Sequence, residues 1–461
     1  YKRQALIIGG GAAGMTAALT LADQGFPVHI IEREDKLGGN LRQLRYFVPS
    51  PRDFDVVLPQ EYLAETVLKV KQHPQIEVHF NTELVETGGF KGNFTSTLKQ
   101  AGESYQVQHG ATIVATGGVE YKGREYYYGQ DPNIVTQLEF ENLLATTSPT
   151  DQLPQSVVMI QCVGPAEKYC SRLCCTTALK NALKLKERNP SAQVTILYRD
   201  IRTYGFKERL YTEARRAGVR FINFEFDRKP EVKLIDSEAP VSQLAVRVHE
   251  PVLDMEIELK PDMLVLSTPI IPPEGAEELA TQLKLPLDMD GFFLEAHVKL
   301  RPVDFSTDGV FMAGMAHYPK FLDETIAQAQ AAASRAAGIL SQETMRTNAR
   351  VAIVDPQICV GCLTCVRVCP YHVPMISTEY TGVGDITGAA FIESAICHGC
   401  GSCASECPAK AIQLMHYTDA QTLTKVDALF NQAVLWPASE RVEESDRLGV
   451  EVTNQPDNKT E

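Results

Sequence analysis

The chain has 461 residues, an apolar fraction of 44% and a formal net charge of −14 at pH 7. This length predicts about two to four domains, and the acidic charge argues against nucleic acid as a partner. No apolar run is long enough to span a membrane. We recognise no secretory signal, and because a nucleotide-binding strand follows Tyr1 almost at once, we expect an N-terminal portion to precede this chain.

A glycine-rich turn near the start predicts a dinucleotide site. Gly9, Gly11 and Gly14 have the spacing G-x-G-x-x-G between an apolar strand and a helix. A second strand over residues 28–31 ends at Glu32, which completes a βαβ unit. The glycines allow a tight turn, close approach of a pyrophosphate and close packing of the helix on the strand. The carboxylate of Glu32 can accept hydrogen bonds from ribose hydroxyls. This context favours a dinucleotide site over a plain glycine turn.

Three later segments favour FAD over NAD as the dinucleotide. The Gly38-Gly39 pair, the strand over residues 110–118 and the strand over residues 308–315 resemble parts of the FAD domain of disulfide-reductase-type flavoproteins. Those proteins usually have Asp where this chain has Met315. The predicted FAD contacts are Gly9, Gly11, Ala13, Gly14, Glu32, Arg33, Gly39, Asn40, Thr116, Gly117, Gly314 and Met315.

Residues 151–267 are predicted to be a domain inserted between two parts of the FAD domain, residues 1–150 and 268–345. In two-domain flavoproteins the inserted domain binds NAD(P)H through its own glycine-rich loop. Here the strand over residues 156–160 runs into Gln161-Cys162-Val163-Gly164-Pro165, which lacks G-x-G-x-x-A. Because bulky residues prevent close backbone approach to a pyrophosphate, we predict a retained fold that has lost its nicotinamide site.

Four of the twelve cysteines lie in this inserted region, namely Cys162, Cys170, Cys174 and Cys175. Their spacing leaves three interpretations open. They can be buried free thiols, which behave as small hydrophobic groups. They can form a redox disulfide, although adjacent cysteines pair poorly. They can also hold a further [4Fe–4S] cluster, although no standard cluster spacing fits.

The other eight cysteines repeat the two-cluster bacterial ferredoxin pattern, with three evenly spaced cysteines and a fourth before Pro370 or Pro408. Each cluster takes three ligands from one run and the fourth from the other run. The predicted ligands of the first cluster are Cys359, Cys362, Cys365 and Cys407, and those of the second are Cys397, Cys400, Cys403 and Cys369. Zinc sites use paired C-x-x-C motifs instead.

The ferredoxin domain is predicted to span residues 350–418, and residues 419–461 are predicted to be a C-terminal helix and an acidic tail. Clusters of this kind indicate a reducing cytoplasm and anaerobic chemistry. We therefore expect a cytoplasmic protein.

Several segments together resemble the heterodisulfide reductase A-subunit family. Residues 161–180 (QCVGPAEKYCSRLCCTTALK) resemble its hallmark, and residues 196–202 and 408–412 resemble further segments. The resemblance covers nearly the whole chain. It implies an α/β, thioredoxin-reductase-like two-domain flavoprotein with a C-terminal α+β ferredoxin domain that holds two [4Fe–4S] clusters.

The resemblance also implies a function, cofactors and partners. It implies FAD-based electron bifurcation, a third cluster at Cys162, Cys170, Cys174 and Cys175, and partner subunits of the B and C type. Ferredoxin or a hydrogenase- or dehydrogenase-type protein would be the electron donor, in a multi-subunit assembly that can be dimeric. The chain resembles a shortened form, because Gly39 runs on to Phe47-Val48-Pro49 and a short helix without the cluster-bearing insertion of many members.

Lys180 is the candidate catalytic residue, because the resemblance places it near flavin N5. A cation there would favour the anionic reduced flavin. The alternative is a solvated helix lysine beside Lys184 and Lys186.

We predict an oxidoreductase subunit that passes flavin electrons singly to clusters, since a flavin takes two electrons and a cluster takes one. One alternative is an NAD(P)H-dependent oxidoreductase of the glutamate-synthase small-subunit type. Another is a scaffold that mainly docks partner subunits. The terminal acceptor stays open between a heterodisulfide, a quinone pool reached through partners and an aromatic acyl-CoA system.

Overall fold

The computed structural model describes residues 2–47, 58–148, 153–235, 243–344, 350–394 and 396–435. These residues divide into two compact units, one of residues up to 345 and one of residues from 346 onward. The predicted Phe47-Val48-Pro49 segment lies partly outside the described residues, and the acidic tail from Glu440 lies wholly outside them.

The first unit is an α/β structure. Its helices are α1 (Ala12–Ala22), α2 (Pro59–Gln72), α3 (Gln137–Thr146), α4 (Cys174–Arg188), α5 (Glu208–Arg216), α6 (Ala276–Leu283) and α7 (Leu322–Leu340). Its strands are β1 (Ala5–Ile8), β2 (Val28–Ile31), β3 (Ile76–His79), β4 (Thr82–Phe90), β5 (Asn93–Gln100), β6 (Glu103–His109), β7 (Ala111–Val114), β8 (Val119–Glu120), β9 (Ile134–Thr136), β10 (Ser156–Ile160), β11 (Gln193–Tyr198), β12 (Arg220–Asn223), β13 (Glu231–Ile235), β14 (Gln243–Glu250), β15 (Met255–Leu259), β16 (Met263–Leu266), β17 (Ile270–Ile271) and β18 (Val310–Met312).

A parallel sheet in the order β18-β7-β1-β2-β3 forms the first half of this unit. All of β1 is buried, because its side chains alternate between two cores. Ile7 joins the core under α1 and α7, and Leu6 joins the core under the antiparallel β4-β5-β6 sheet. Small residues of both helices, such as Ala18 and Ala333, lie in the first core, and α1 and α7 pack closely together.

A second parallel sheet in the order β12-β11-β10-β16-β9 forms the other half. Met159 on β10 packs with Leu179 of α4, and Ile160 packs with Val246 of the antiparallel β13-β14-β15 sheet. Strand β9 belongs to this sheet although it precedes residue 151, where the inserted domain was predicted to begin. The short antiparallel pair β8 and β17 lies between the two halves along the chain. The predicted domain limits themselves stay a prediction.

The second unit is a small α+β structure built around its cysteines. Its helices are α8 (Thr364–Val368), α9 (Ser402–Ser405) and α10 (Asp419–Leu435), and its strands are β19 (Ala352–Val354), β20 (Met375–Thr381), β21 (Thr387–Phe391) and β22 (Ile412–Leu414). The antiparallel pairs are β19 with β22 and β20 with β21. Its core is formed by five of its cysteines together with small and branched apolar residues. Among the described residues, no helix is long and apolar enough to cross a membrane.

Candidate flavin site and iron–sulfur centres

A cavity of about 1470 Å³ lies in the first unit, and residues of both parallel-sheet halves line it. Its wall contains Gly11 after β1, Thr116 after β7, and Cys174 and Lys180 of α4. In open parallel sheets, ligands bind beyond the carboxyl ends of the strands. The predicted FAD residues that line the cavity are Gly9, Gly11, Ala13, Glu32, Arg33, Gly39, Asn40, Thr116, Gly117 and Met315.

The glycine turn has the shape that a pyrophosphate needs. Gly9 has φ +110°, a conformation that favours glycine, and a Cβ there would overlap the carbonyl of Ala115. A Cβ at Gly14 would overlap the carbonyl oxygen of Gly9, so Gly14 serves close packing instead of lining the cavity. A Cβ at Gly11 would meet no atom within 4 Å. The open space beside Gly11 is therefore where a phosphate group can approach the backbone.

Gly314 is the other predicted FAD residue that does not line the cavity. A Cβ there would lie 2.7 Å from Cβ of Ala13, and its N–H donates to Gln328 Oε1 at 2.9 Å. Gly314 therefore packs directly behind the cavity wall.

Two polar groups on the wall fit a dinucleotide. The Glu32 carboxylate accepts the N–H of Gly10 at 2.8 Å and the N–H of Glu34 at 3.0 Å, which fixes it at the end of β2. Thr116 has a buried hydroxyl with no hydrogen-bond partner among the described residues. Since buried polar atoms are normally paired, this hydroxyl is suited to a ligand in the cavity.

Lys180 lies at the cavity wall and is only 4% exposed. Its Nζ donates to Glu141 Oε2 at 2.6 Å and to the carbonyl of Tyr46 at 3.0 Å. The other oxygen of Glu141 accepts the N–H groups of Arg45 and Tyr46 at 2.7 and 2.9 Å. Burial lowers the pKa of Lys180, while the fully buried Glu141 opposes that shift. The alternative of a solvated surface lysine does not fit this burial.

Three residues of the site were not found from the sequence: Glu141, Glu120 and Lys320. Glu120 lines the cavity and accepts the Thr136 hydroxyl at 3.0 Å, and burial raises its pKa to about 7. Lys320 also lines the cavity and donates to the carbonyls of Gly314 and Tyr318 at 2.9 and 3.0 Å. Burial lowers the pKa of Lys320 to about 8. No local motif marks these residues, because their partners are set by the tertiary fold.

The inserted half places its four cysteines between β10 and the start of α4. Cys162 has φ +61°, Cys174 lines the cavity, and Cys175 is buried. Burial, with smaller contributions from the neighbouring thiols of Cys162 and Cys170, raises the pKa of Cys175 to about 11. Burial likewise raises the pKa of Cys174, with contributions from the other three thiols. The four thiols are therefore close enough to interact.

The connection between β10 and α4 lacks the open space that is found beside Gly11 in the first glycine turn. Thirteen residues, 161–173, separate β10 from α4. A Cβ at Gly164 would lie 2.5 Å from the ring of Tyr121, so an aromatic side chain fills this turn. The contrast with Gly11 agrees with the predicted loss of a nicotinamide site.

The second unit brings the predicted cluster ligands together in two groups. Cys359, Cys362, Cys365 and Cys407 line one small cavity. The second group surrounds Cys403. Burial raises the pKa of the Cys403 thiol to about 11, and the nearby thiols of Cys397, Cys369 and Cys400 contribute to this increase in that order. The backbone N–H groups of Ala390, Ala411 and Ala352 point at the sulfurs of Cys359, Cys407 and Cys397 at 3.4, 3.3 and 3.3 Å. Amide contacts of this kind also surround thiolates that hold clusters.

Comparisons with protein families and solved structures agree with this architecture. Residues 7–82 match the NAD(P)-binding Rossmann-like domain, and residues 358–411 match the 4Fe-4S dicluster domain. Thioredoxin reductases of T. acidophilum and Lactococcus lactis share the fold with TM-scores of 0.50 and 0.52. Both are 18% identical to this chain, both alignments cover 73% of it, and they cover 97% and 98% of the reductases.

Among the relatives that match most of the chain are two A subunits of reductases. The A subunit of the H(2):CoB-CoM heterodisulfide,ferredoxin reductase of Methanothermobacter marburgensis is 31% identical over 475 residues, which are 82% of this chain and 70% of the relative. The iron-sulfur A subunit of the CoB--CoM heterodisulfide reductase of Methanocaldococcus jannaschii is 32% identical over 522 residues, which are 93% of this chain and 77% of the relative.

These findings confirm the predicted fold class and the predicted cofactors FAD and [4Fe–4S], while the individual ligand assignments and the third cluster stay predictions. The chain is a flavin and iron–sulfur oxidoreductase that transfers electrons. It belongs to the heterodisulfide reductase A-subunit family.

Proposed function

We propose that this chain divides the electrons of FAD into single-electron transfers to [4Fe–4S] clusters, as the bifurcating subunit of a heterodisulfide-reductase-like complex. One observation carries the proposal: Gly11 of the glycine turn, Cys174 and Lys180 line the same cavity. Bound FAD would supply two-electron chemistry, and a cluster beside it accepts one electron at a time. The predicted FAD contacts named above are the proposed binding residues.

The partners follow from the names of the relatives, which are A subunits of reductases for the CoB-CoM heterodisulfide. We propose B- and C-type partner subunits and an electron donor of the ferredoxin, hydrogenase or dehydrogenase type, in a multi-subunit assembly. Because exposed clusters persist in reducing compartments, the proposed location is the cytoplasm.

The thiol group at Cys162, Cys170, Cys174 and Cys175 is proposed to hold the third cluster. Burial disfavours free thiolates there, and iron binding removes the proton outright. Beside Cys162, the buried amide of Gln161 has no hydrogen-bond partner for either polar atom among the described residues. A polar cofactor next to this segment would explain an unpaired amide that otherwise costs stability.

Lys180 is proposed to keep a positive charge at the cavity wall. Burial lowers the pKa of Lys180, and the ion pair with Glu141 opposes that decrease, so the pair would favour the ammonium form. A positive charge beside the isoalloxazine ring would stabilise its electron-rich reduced form.

The function is tested by adding electron donors to the holoprotein without oxygen. Dithionite or reduced ferredoxin is expected to bleach the flavin, whereas NADH and NADPH should not, because the second turn is filled by Tyr121. Flavin absorbance at matched donor concentrations is the measurement. Rapid bleaching by NADH or NADPH would instead support an NAD(P)H-dependent oxidoreductase of the glutamate-synthase small-subunit type.

Gly11→Ala tests the FAD site. The added methyl group should fill the open space beside the turn and weaken FAD binding by about tenfold or more. Gly338→Ala on α7 is the matched control, because its Cβ also meets no atom within 4 Å but lies away from the cavity lining. Flavin content and circular dichroism are measured together, and equal flavin content in the two folded variants would contradict the assignment.

Metal analysis tests the third cluster. Three clusters predict about twelve iron and twelve sulfide per chain, and two clusters predict about eight. Cys170→Ser should lower the wild-type value by about four iron, whereas Thr177→Ala in the first turn of α4 should not change it. A wild-type value near eight in the reconstituted protein would show that these four cysteines are not cluster ligands.

Lys180→Met tests the proposed charge. Removing the ammonium group should shift the flavin reduction potential to more negative values. A tenfold change in the equilibrium between oxidised and two-electron-reduced flavin corresponds to a shift on the order of 30 mV. Lys184→Met is the matched control, because Lys184 also lines the cavity but pairs with the exposed Glu187 at 2.8 Å.

Since removing Lys180 alone leaves a buried carboxylate unpaired, the double variant Lys180→Met with Glu141→Gln controls for lost stability. The potential shift should persist in the double variant. An unchanged potential in both Lys180 variants would remove this lysine from the proposed mechanism.

A further inference from the structure

Two histidines and one glutamate meet at the edge of the first parallel sheet. His29 lies on β2, Glu77 and His79 lie on β3, and the strand register pairs His29 with Glu77. Nδ1 of His29 is 3.0 Å from Nε2 of His79 and 3.3 Å from a carboxylate oxygen of Glu77. Nε2 of His79 is 3.8 Å from the other oxygen of Glu77. The three potential ligand atoms therefore all lie within 4.8 Å of one another.

The spacing of these atoms fits a tetrahedral metal ion. Metal–ligand bonds of about 2.0–2.1 Å place neighbouring ligand atoms of a tetrahedron about 3.3 Å apart. Two imidazole nitrogens and a carboxylate oxygen are ligands that Zn²⁺ and similar divalent first-row ions accept. The Glu77 side chain is 66% exposed, so water can reach the fourth position.

The surroundings also orient one ligand. Nδ1 of His79 lies 2.8 Å from the hydroxyl of Tyr105 on β6. When Nδ1–H donates to this hydroxyl, Nε2 keeps its lone pair and faces His29 and Glu77. A hydrogen bond to the far ring nitrogen is common for metal-binding histidines, because it fixes the tautomer and the ring orientation.

We propose that His29, Glu77 and His79 form a binding site for a divalent first-row ion such as Zn²⁺, with water as the fourth ligand. The site would connect β2 to β3 and is separate from the flavin cavity, since none of its three residues lines that cavity. The carbonyl of His79 accepts the N–H of Glu32 at 2.9 Å. The ion would therefore stabilise the pairing of β2 with β3 next to Glu32, which lines the cavity.

Zinc binding to the cluster-loaded holoprotein tests this site. After treatment with a mild chelator and addition of Zn²⁺, gel-filtered wild-type protein should retain about one more zinc per chain than His79→Gln. Iron is measured in the same samples, so that exchange into the cluster cysteines is recognised. His73→Gln is the matched control, because His73 pairs with Asp23 at 3.4 Å and belongs to no group of three potential metal ligands among the described residues.

Two further variants keep the test decisive if His79→Gln folds poorly. Glu77→Gln changes an exposed side chain and should also lose the extra zinc. Tyr105→Phe should weaken zinc binding by about 10–100-fold, which is the usual effect of losing the hydrogen-bond partner of a metal-binding histidine. Zinc should raise the melting temperature of the wild type and His73→Gln but not of the ligand variants.

Cobalt provides an independent readout of the ligands. Oxidised [4Fe–4S] clusters and oxidised flavin give no signal in electron paramagnetic resonance. The signal of bound Co²⁺ should therefore be seen in the oxidised holoprotein and be absent in Glu77→Gln. Equal zinc in the wild type and both ligand variants would overturn the proposal. Zinc uptake that is matched by iron loss would overturn it as well, and the histidines would then be a hydrogen-bonded pair without a metal.

Discussion

The buried ion pair between Lys180 and Glu141 is the interaction on which the candidate site depends. Removing two charges from water costs several kcal/mol per ion, and only good geometry with further hydrogen bonds offsets that cost. Here α4 supplies the lysine, α3 supplies the glutamate, and the Arg45–Tyr46 backbone supplies two donors and one acceptor. The pair therefore connects the inserted half to a segment that follows the glycine turn. It also places an ammonium group at the wall of a mostly apolar cavity, where a charge acts more strongly than it would in water.

The two halves of the first unit show how one architecture serves two purposes. Both have a parallel strand, a turn and a helix. At Gly11 the turn leaves free space beside the backbone, whereas at Gly164 the ring of Tyr121 occupies it. Because a pyrophosphate needs that space and the free N–H groups of the helix start, only the first turn is suited to a dinucleotide. The thirteen-residue connection of the second turn carries cysteines instead.

The features that the sequence predicted well are those that a local pattern sets. The glycine turn and the eight ferredoxin cysteines follow from backbone geometry over a few residues, so spacing alone was informative. Lys180 was identified only through a family resemblance, because its spacing to Lys184 is also that of a surface helix. Glu141 could not be predicted, since it meets Lys180 across 39 residues, and Lys320 has no marking motif. The membership of β9 in the second sheet likewise depends on its pairing with β16, more than 120 residues later in the chain.

The proposed cluster sites of the two units would balance the negative charge of a cluster by different means. A cluster with four thiolates carries a net negative charge, so it needs nearby donors or positive charge. In the second unit, backbone N–H groups of Ala390, Ala411 and Ala352 point at three of the sulfurs. In the first unit, Cys174 and Cys175 open the fifteen-residue helix α4, whose N-terminus carries a partial positive charge. A cluster at that helix start would border the flavin cavity, because Cys174 belongs to both. The position that a nicotinamide would occupy in a two-domain reductase would then be an electron exit, and the filled turn at Gly164 would belong to that proposed route.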